Sequence, residues 1–254
     1  MTLLRVATIN LRNRVDRWSE RRTLLVEQLV EASPDLISLQ EISFPIRQGV
    51  WLRDQLNEQL TDGEPPYVLV KKRKEGLIPG YLEGVGVLSR RPVLAHDRIG
   101  LGHGGRVALR VSVELELGRV LDFVATHLHH IAEHREARLE QVMTMTGWLG
   151  DPGRAQHQVI AGDFNELPNG PAIQYMKQGY ISAYAAANGW EPLATYPTLL
   201  APAANDWSGC IDYIFVSPAV RVHEARLFLK RPAAHDNTLY PSDHVGILAT
   251  IEVD

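Results

Sequence analysis

The chain has 254 residues, of which 45% are hydrophobic, and this is enough to bury a continuous core. Its 26 Lys and Arg against 30 Asp and Glu give a formal net charge of −4, which disfavours a dedicated duplex-DNA binder because no broad basic face is required. A single cysteine excludes an internal disulfide, and neither a signal peptide nor a membrane span of roughly 20 apolar residues is evident. We therefore expect a cytoplasmic protein with no membrane span.

The N-terminal part of the chain predicts a strand, a helix and a second strand. Residues 3–10 (LLRVATIN) have the composition of a buried strand, and residues 19–33 carry apolar side chains at helical spacing. Residues 34–41 (PDLISLQE) predict the second strand. This succession is typical of a unit with two parallel strands.

From residue 84 onward, short turns separate strands with no helix between them. Residues 84–93, 106–117 and 119–127 predict strands, and 106–117 alternates apolar with polar side chains, as a half-buried antiparallel strand does. The remaining predicted elements are a helix over 133–149, a strand over 157–165, a short helix over 169–179 and strands over 210–218, 220–228 and 244–253. This mixture predicts an α/β layered sandwich. Because no linker or fixed-period repeat interrupts the chain, we expect one domain over residues 1–254.

Polar side chains recur at or beside the ends of these apolar strands. They are Asn10, Glu41, His127, Asp163, Asn165, Asp212, Asp243 and His244. A charge beside a core costs several kcal/mol unless it is paired or binds a cation, and α/β sheets build their sites at such strand ends. Because oxygen ligands predominate in this set, it suits a hard divalent cation, Mg²⁺ or Mn²⁺.

Two short sequences within this set admit a second interpretation. In GDFN, alternation along a strand places Asp163 and Asn165 on one face, although a capping aspartate followed by a turn asparagine has the same sequence. In SDH, a carboxylate such as Asp212 could orient His244 as a general base, although a capping Asp and a solvated His remain the alternative.

Seven motifs occur in the order TIN, LQE, GVGVLSR, ATHLHH, GDFN, IDYIFVSP and PSDH. In this order and at about this spacing, they make the chain resemble the endonuclease/exonuclease/phosphatase superfamily, the fold group of deoxyribonuclease I. The resemblance covers nearly the whole chain. It implies a four-layer sandwich, in which two mixed, mostly antiparallel β-sheets pack face to face with helices outside. It also implies metal-dependent hydrolysis of phosphoester bonds by direct attack of water.

The resemblance further implies roles for individual residues. Glu41 would be the principal ligand of Mg²⁺ or Mn²⁺, with Asn10 and Asp243 on or near the metal. By this resemblance, these three strand-end residues would form the metal site.

The other strand-end residues would serve the reaction itself. By the same resemblance, Asp163 and Asn165 would position water and phosphate, and His127 would donate to a phosphoryl oxygen. Asp212 would orient His244. Whether Asp163 or His244 takes the proton of water stays open.

Further candidates surround the motif ATHLHH. Three histidines within four positions, including His130, could suggest zinc, but the acid of a metallo-β-lactamase pattern is missing. Arg138 and Gln141 match a pattern that braces this loop, or else belong to a solvated helix face. Arg106 is a candidate phosphate contact, and the alternative is an ordinary exposed Arg at a strand end. His130 is a further candidate for substrate binding.

The low aromatic content and the negative net charge favour a small phosphoester substrate over nucleic acid. A nuclease acting on DNA or RNA and a catalytically silent metal-binding module are the alternatives. The one basic run, residues 71–76, is expected to be a solvated turn. Residues 43–56 and 193–209 are candidates for substrate selectivity, and ordinary loop packing is the alternative. The sequence does not indicate whether the protein is a monomer or an oligomer.

Overall fold

Two six-stranded sheets pack face to face in the computed structural model, which describes residues 1–76, 82–150, 157–202 and 208–254. The strands in chain order are β1 (Thr2–Asn10), β2 (Leu36–Ser43), β3 (Val68–Arg73), β4 (Glu83–Ser89), β5 (Val93–Gly100), β6 (Val107–Glu114), β7 (Val120–His127), β8 (Gln158–Asp163), β9 (Ile181–Ser182), β10 (Asp212–Val216), β11 (Val220–Phe228) and β12 (Gly246–Val253). The first sheet has the order β11-β12-β1-β2-β4-β3, and the second has the order β5-β6-β7-β8-β10-β9.

Each sheet contains one parallel pair, β1 with β2 and β7 with β8. The other pairs are antiparallel. The predicted mixed, mostly antiparallel arrangement is therefore confirmed, including the parallel pair near the N-terminus.

Five α-helices with bounds in the described ranges complete the layers, namely α1 (Trp18–Ala32), α2 (Gln48–Glu58), α3 (Arg135–Leu149), α4 (Pro171–Gly179) and α5 (Ala183–Asn188). Leu25 of α1 and Leu52 of α2 pack on the first sheet, whereas Val142 of α3 and Ile173 of α4 pack on the second. The four-layer sandwich expected from the sequence is confirmed. No helix in the described part of the chain has the length and apolar character needed to cross a bilayer.

The core between the sheets follows from strand alternation. Val107, Leu109, Val111 and Val113 of β6 all point into it and are at most 1% exposed. Burying each such side chain stabilises the fold by about 1.5–3 kcal/mol. The predicted division of this strand into an apolar and a polar face is correct.

The sequence predicted neither α2, β3 and β5 nor the short elements β9 and α5. β3 and β5 are edge strands, so they carry exposed polar residues and lack the long apolar runs that mark central strands. The basic run at 71–76 thus begins in β3 and is not simply a solvated turn, and residues 48–56 of the proposed selectivity segment lie in α2.

Candidate active site

The polar strand ends meet at one end of the sandwich. The parallel pairing of β1 and β2 places Asn10 and Glu41 at the same edge of the first sheet. In the second sheet, the register of β7 and β8 pairs His127 with Asp163, and the register of β8 and β10 pairs Asp163 with Asp212. β12 runs antiparallel to β1, so it also begins at this end, just after the Ser-Asp-His sequence. Strand direction alone therefore gathers the predicted residues.

A cleft of about 350 Å³ opens at this end. Its lining includes Glu41, His127, Asp163, Asn165, Asp243 and His244 together with Arg106 and His130. Asn10 and Asp212 lie behind this wall, and each is 1% exposed.

The cleft lies across the junction of the two sheets. Asn10 of β1 donates from Nδ2 to Oδ2 of Asp163 of β8 at 3.0 Å. His244, which precedes β12, contacts Asp212 of β10. Each of these two hydrogen bonds joins a residue of the first sheet to one of the second.

His244 is held by Asp212. Its Nδ1 lies 2.9 Å from Asp212 Oδ2, and its Nε2 lies 3.9 Å from Asp163 Oδ2. Burial lowers the pKa of His244, but the carboxylates of Asp212, Asp243 and Asp163 outweigh this effect and raise it to about 10. His244 is therefore an imidazolium at neutral pH, and it can donate from both ring nitrogens.

Asp163 lies at the centre of the cluster. Its Oδ2 accepts from Asn10 and its Oδ1 accepts from the backbone N–H of Asn165 at 2.9 Å. Burial and the charge of Asp212 raise the pKa of Asp163 despite these hydrogen bonds. Asp163 is thus a stronger base than an ordinary aspartate.

Asn165 reaches the cleft by a route that differs from the prediction. β8 ends at Asp163, and Asn165 has a φ of 50°, so the two residues do not share the face of one strand. Asparagine tolerates this left-handed conformation better than most residues. The Asn165 Nδ2 donates to the Leu128 carbonyl at 3.2 Å, and this bond fixes the amide beside the cleft.

Glu41 enters the cleft from an irregular strand. Between Leu39 and Ile42 the pairing of β2 with β4 shifts, and Glu41 itself has a φ of 53°. A left-handed conformation at a residue other than glycine costs on the order of 1 kcal/mol, and such strain often accompanies function. The bulge turns Glu41 into the cleft, where Asn10 Nδ2 lies 3.4 Å from its Oε1.

The donor set near Glu41 fits a hard divalent cation. Glu41 and Asp243 offer carboxylate oxygens, and burial raises the pKa of Asp243 against the opposing effects of His244 and Arg12. Asn10 directs its amide nitrogen toward Glu41 while its Oδ1 accepts from the Arg12 N–H at 2.9 Å, so it orients the carboxylate. A bound cation would relieve the repulsion among these carboxylates.

A second group of potential ligands consists of Asp163, Asp212 and His244, whose donor atoms lie within 4.8 Å of one another. Here His244 Nδ1 lies 2.9 Å from Asp212 Oδ2, so this nitrogen and this oxygen are engaged with each other, and Asp212 is only 1% exposed behind the cleft wall. The Glu41 side of the cleft is therefore the better cation site.

Arg106 adds a cationic side chain to the lining of the cleft. It is only 3% exposed, and its Nη2 donates to His130 Nδ1 at 3.3 Å. Its Nε and Nη1 are buried and have no hydrogen-bond partner among the described residues. Buried unsatisfied guanidinium donors are costly, so a phosphate oxygen is a suitable partner for them.

Several lining residues were not singled out from the sequence. Arg12 lies 3.3 Å from Asp243 through its Nε, and Lys74 forms an ion pair with Glu83. The Tyr196 ring lies 4.9 Å from the ring of His244, centroid to centroid. Lys74 belongs to the basic run and Tyr196 to the predicted selectivity segment 193–209. The sequence therefore marked the segments that contain them but did not identify either residue individually.

The histidines that follow His127 do not assemble a zinc site in the described ranges. His129 Nε2 lies 2.9 Å from His134 Nδ1. Within those ranges, no third His, Cys, Asp or Glu joins this pair closely enough to complete a group of three ligands.

Helix α3 braces the loop after β7. Arg138 is 2% exposed; it donates to the carbonyls of Ile131 and Ala132 at 2.6 and 2.7 Å and binds Glu166 at 2.8 Å. Gln141 accepts from the His129 N–H at 2.8 Å. The interpretation of Arg138 and Gln141 as bracing residues is consistent with these contacts, and a solvated helix face is not.

We expect Arg138→Met to destabilise the protein by about 3–5 kcal/mol, because Glu166 loses its buried partner and several carbonyls lose their donor. Arg135→Met is the matched control, since Arg135 contacts the same Glu166 at 3.3 Å from a side chain that is 51% exposed. Its cost should stay within about 1 kcal/mol. Urea unfolding of both variants measures the difference, and equal costs would contradict the bracing role.

This two-sheet sandwich with a polar cleft at one end places the chain in a fold class whose members include hydrolases of phosphoester bonds. More particularly, the family model described as Endonuclease/Exonuclease/phosphatase family matches residues 7–244, and the chain belongs to that family. Enzymes of the family generally depend on a divalent metal.

Individual relatives are distant. Nocturnin of Xenopus laevis is 23% identical over 248 residues, which cover 91% of this chain, and the chain spans 64% of that protein's length. An endonuclease/exonuclease/phosphatase from Bacteroides vulgatus superposes with a TM-score of 0.80 at 22% identity over 100% of both chains. A mannosyl-6-phosphatase of Bacteroides thetaiotaomicron gives 0.78 at 19% identity, over 98% of this chain and 99% of that one. Structural similarity at these identities shows the fold alone.

Proposed function

We propose that this protein hydrolyses a small phosphorylated substrate, a phosphodiester or a phosphomonoester, by direct attack of water. The observation that carries the proposal is that carboxylates and a buried arginine line one and the same cleft. Glu41, Asp163 and Asp243 supply carboxylates, and Arg106 supplies two buried donors without partners among the described residues. Such a cleft complements a metal ion together with an anionic phosphoryl group.

Mg²⁺ or Mn²⁺ is the proposed cofactor. Glu41 and Asp243 would hold it, with Asn10 orienting Glu41 through its amide nitrogen. When bound, the ion neutralises charge that develops on the phosphoryl oxygens.

The remaining side chains take the proton and stabilise the transition state. Asp163 would accept a proton from the attacking water, because its pKa is raised above that of an ordinary aspartate. The pKa of His244 is raised as well, so its imidazole would act as a donor and not as the base. His244, held by Asp212, would donate to a phosphoryl oxygen. Asn165 would assist in positioning the phosphate.

Burial lowers the pKa of His127 well below its ordinary value, so this histidine is neutral at pH 7 and donates from one ring nitrogen. Its Nε2 lies 3.5 Å from Asp163 Oδ2. We assign His127 to a phosphoryl oxygen, together with Arg106 and its neighbour His130.

The size of the cleft supports the small-substrate proposal, since about 350 Å³ lies near the lower end of volumes typical for small-molecule sites. The net charge of −4 also opposes a long nucleic-acid track. Nuclease activity and silent metal binding are the competing functions.

The test is hydrolysis of bis-p-nitrophenyl phosphate, p-nitrophenyl phosphate and a supercoiled plasmid, with Mg²⁺ or Mn²⁺ and with EDTA. We expect ester turnover that EDTA abolishes, without plasmid nicking. Metal-dependent nicking would favour the nuclease, whereas metal binding without turnover of any substrate would favour the silent module.

A further inference from the structure

Arg21, in the first turn of α1, is a fully buried arginine whose hydrogen-bond acceptors are all backbone carbonyls. Its side chain is 0% exposed. The guanidinium donates at 2.9–3.1 Å to the carbonyls of Leu11, Arg12, Asn13, Val15, Asp16 and Pro241. All of these except Pro241 belong to residues 11–17, which connect β1 to α1 and which we call the β1–α1 loop. Arg21 therefore fills the inside of this loop.

The β1–α1 loop has a strained backbone. Arg12, Asn13, Asp16 and Arg17 have φ values of 54°, 48°, 51° and 61°. A left-handed conformation at a residue other than glycine costs on the order of 1 kcal/mol, and it persists only where the surrounding contacts fix it. Because Arg21 binds the carbonyls of three of these four strained or adjoining turns from one side, the loop depends on Arg21 for its shape.

The β1–α1 loop holds side chains of the proposed metal site. The backbone N–H of Arg12 donates to Asn10 Oδ1 at 2.9 Å, and the Asn10 Nδ2 lies 3.4 Å from Glu41 Oε1. The Nε of Arg12 lies 3.3 Å from Oδ2 of Asp243. The conformation of the loop therefore bears on both proposed ligands, Glu41 through Asn10 and Asp243 through Arg12.

Arg21 also binds the segment that leads to Asp243. Its Nη1 donates to the Leu11 carbonyl at 3.0 Å and to the Pro241 carbonyl at 2.9 Å. Leu11 directly follows Asn10, and Pro241 precedes Asp243 by two residues. One nitrogen of Arg21 thus connects the two stretches of chain that carry Asn10 and Asp243.

We propose that Arg21 is a positioning residue for the metal site and sets its affinity for Mg²⁺ or Mn²⁺ without contacting the ion. This inference rests on the proposed function, in which Glu41 and Asp243 hold the cation. Groups that orient metal ligands from outside the coordination sphere commonly control metal affinity. Arg21 acts one step further out, through the backbone of the two segments that it joins.

The charge of Arg21 by itself has the opposite effect on a cation. Burial lowers the pKa of Arg21 to about 10, against the opposing effects of Asp243, Asp16 and Glu41. Arg21 is therefore positively charged at neutral pH and lies within electrostatic reach of Asp243 and Glu41. Loss of the charge alone would strengthen metal binding, whereas loss of the positioning would weaken it.

The test is a calorimetric titration of Mn²⁺ into the unmodified protein, Arg21→Lys and Arg21→Met. Lysine keeps the charge, but its N–H donors all lie on one nitrogen and cannot reach both segments in the way a guanidinium does. We expect the Kd for Mn²⁺ to rise about tenfold or more in both variants. Incomplete folding would instead lower the binding stoichiometry and leave the Kd of the folded fraction unchanged.

Arg138→Lys is the matched control. Arg138 is also buried, at 2% exposed, and it also donates to loop carbonyls, those of Ile131 and Ala132 after β7. This substitution should destabilise the protein in urea, as Arg21→Lys does, but it should leave the Mn²⁺ affinity unchanged. Amide hydrogen exchange without metal gives a second readout, because residues 11–17 should exchange faster in Arg21→Lys than in Arg138→Lys.

An unchanged or lower Kd in Arg21→Lys would overturn the inference, as would an equal rise in Kd in Arg138→Lys. Arg21 would then stabilise the fold without positioning the metal site. Mn²⁺ binding by the unmodified protein without turnover of any ester would refute the proposed hydrolase, and the weaker binding in Arg21→Lys would still support the positioning role. The two failures are therefore distinguishable.

Discussion

Replacement of His244 by alanine is expected to lower kcat for phosphoester hydrolysis by about 10³-fold. In the folded protein Asp212 fixes His244 Nδ1 at 2.9 Å and, with the neighbouring carboxylates, keeps the ring positively charged. Alanine removes the donor that would face the phosphoryl oxygens, and water that fills the space is not held in position. KM should change little, because the contact strengthens mainly in the transition state.

Steady-state kinetics on whichever nitrophenyl ester is turned over measures this effect. His96→Ala is the matched control, since His96 lies exposed on the edge strand β5. Asp212→Asn should show a smaller loss than His244→Ala, because the ring remains and only its charge and orientation are weakened. A His244→Ala enzyme within tenfold of the parent would refute the assigned role.

The second large effect is expected at Glu41. Glu41→Gln keeps the shape of the side chain but removes the charge that would hold the cation, so we expect the Mg²⁺ concentration for half-maximal activity to rise by about 10–100-fold. Activity at fixed, low Mg²⁺ should fall accordingly. Because the glutamine retains an oxygen that can accept from Asn10, the backbone irregularity at this position should persist.

A titration of activity against Mg²⁺ tests this expectation, and calorimetric titration with Mn²⁺ provides a readout independent of turnover. Glu114→Gln, an exposed substitution at the end of β6, serves as the control. Full Mg²⁺-dependent activity in Glu41→Gln, with unchanged metal affinity, would exclude Glu41 as the principal ligand.

Much of the fold and site could be predicted because both depend on strand direction. An apolar strand that ends in a polar residue, as β7 ends at His127 and β8 at Asp163, places that residue at the sheet edge whatever the loops do. The edge strands β3 and β5 escaped prediction because half-exposed strands resemble turns in composition. α2 escaped because its apolar residues are few, although Leu52 and Leu56 are enough to anchor it.

Residues that reach the cleft through tertiary contacts could not be found in the same way. Arg12 is held by Asp243, which is far away in the sequence, and also by Asp16, four residues further on. Lys74 is held by Glu83, which the pairing of β3 with β4 brings beside it. Asn165 lies at the cleft, as the sequence predicted. Strand alternation also predicted that it shares one strand face with Asp163, and the left-handed backbone of Asn165 shows that it does not. Local patterns report which residues are near a strand end, and they do not report how the chain turns afterwards.

The residues of the cleft are divided between the two sheets. The Asn10–Asp163 and His244–Asp212 hydrogen bonds each connect the side of the first sheet to that of the second. Under the proposed function, catalysis therefore depends on how the two sheets are aligned. A sliding of one sheet over the other by a fraction of an ångström would misalign the carboxylates and imidazoles while leaving secondary structure intact. Turnover should therefore respond to changes in the packing between the sheets more sensitively than any spectroscopic measure of strand content. Substitutions deep between the sheets should abolish activity before they unfold the protein.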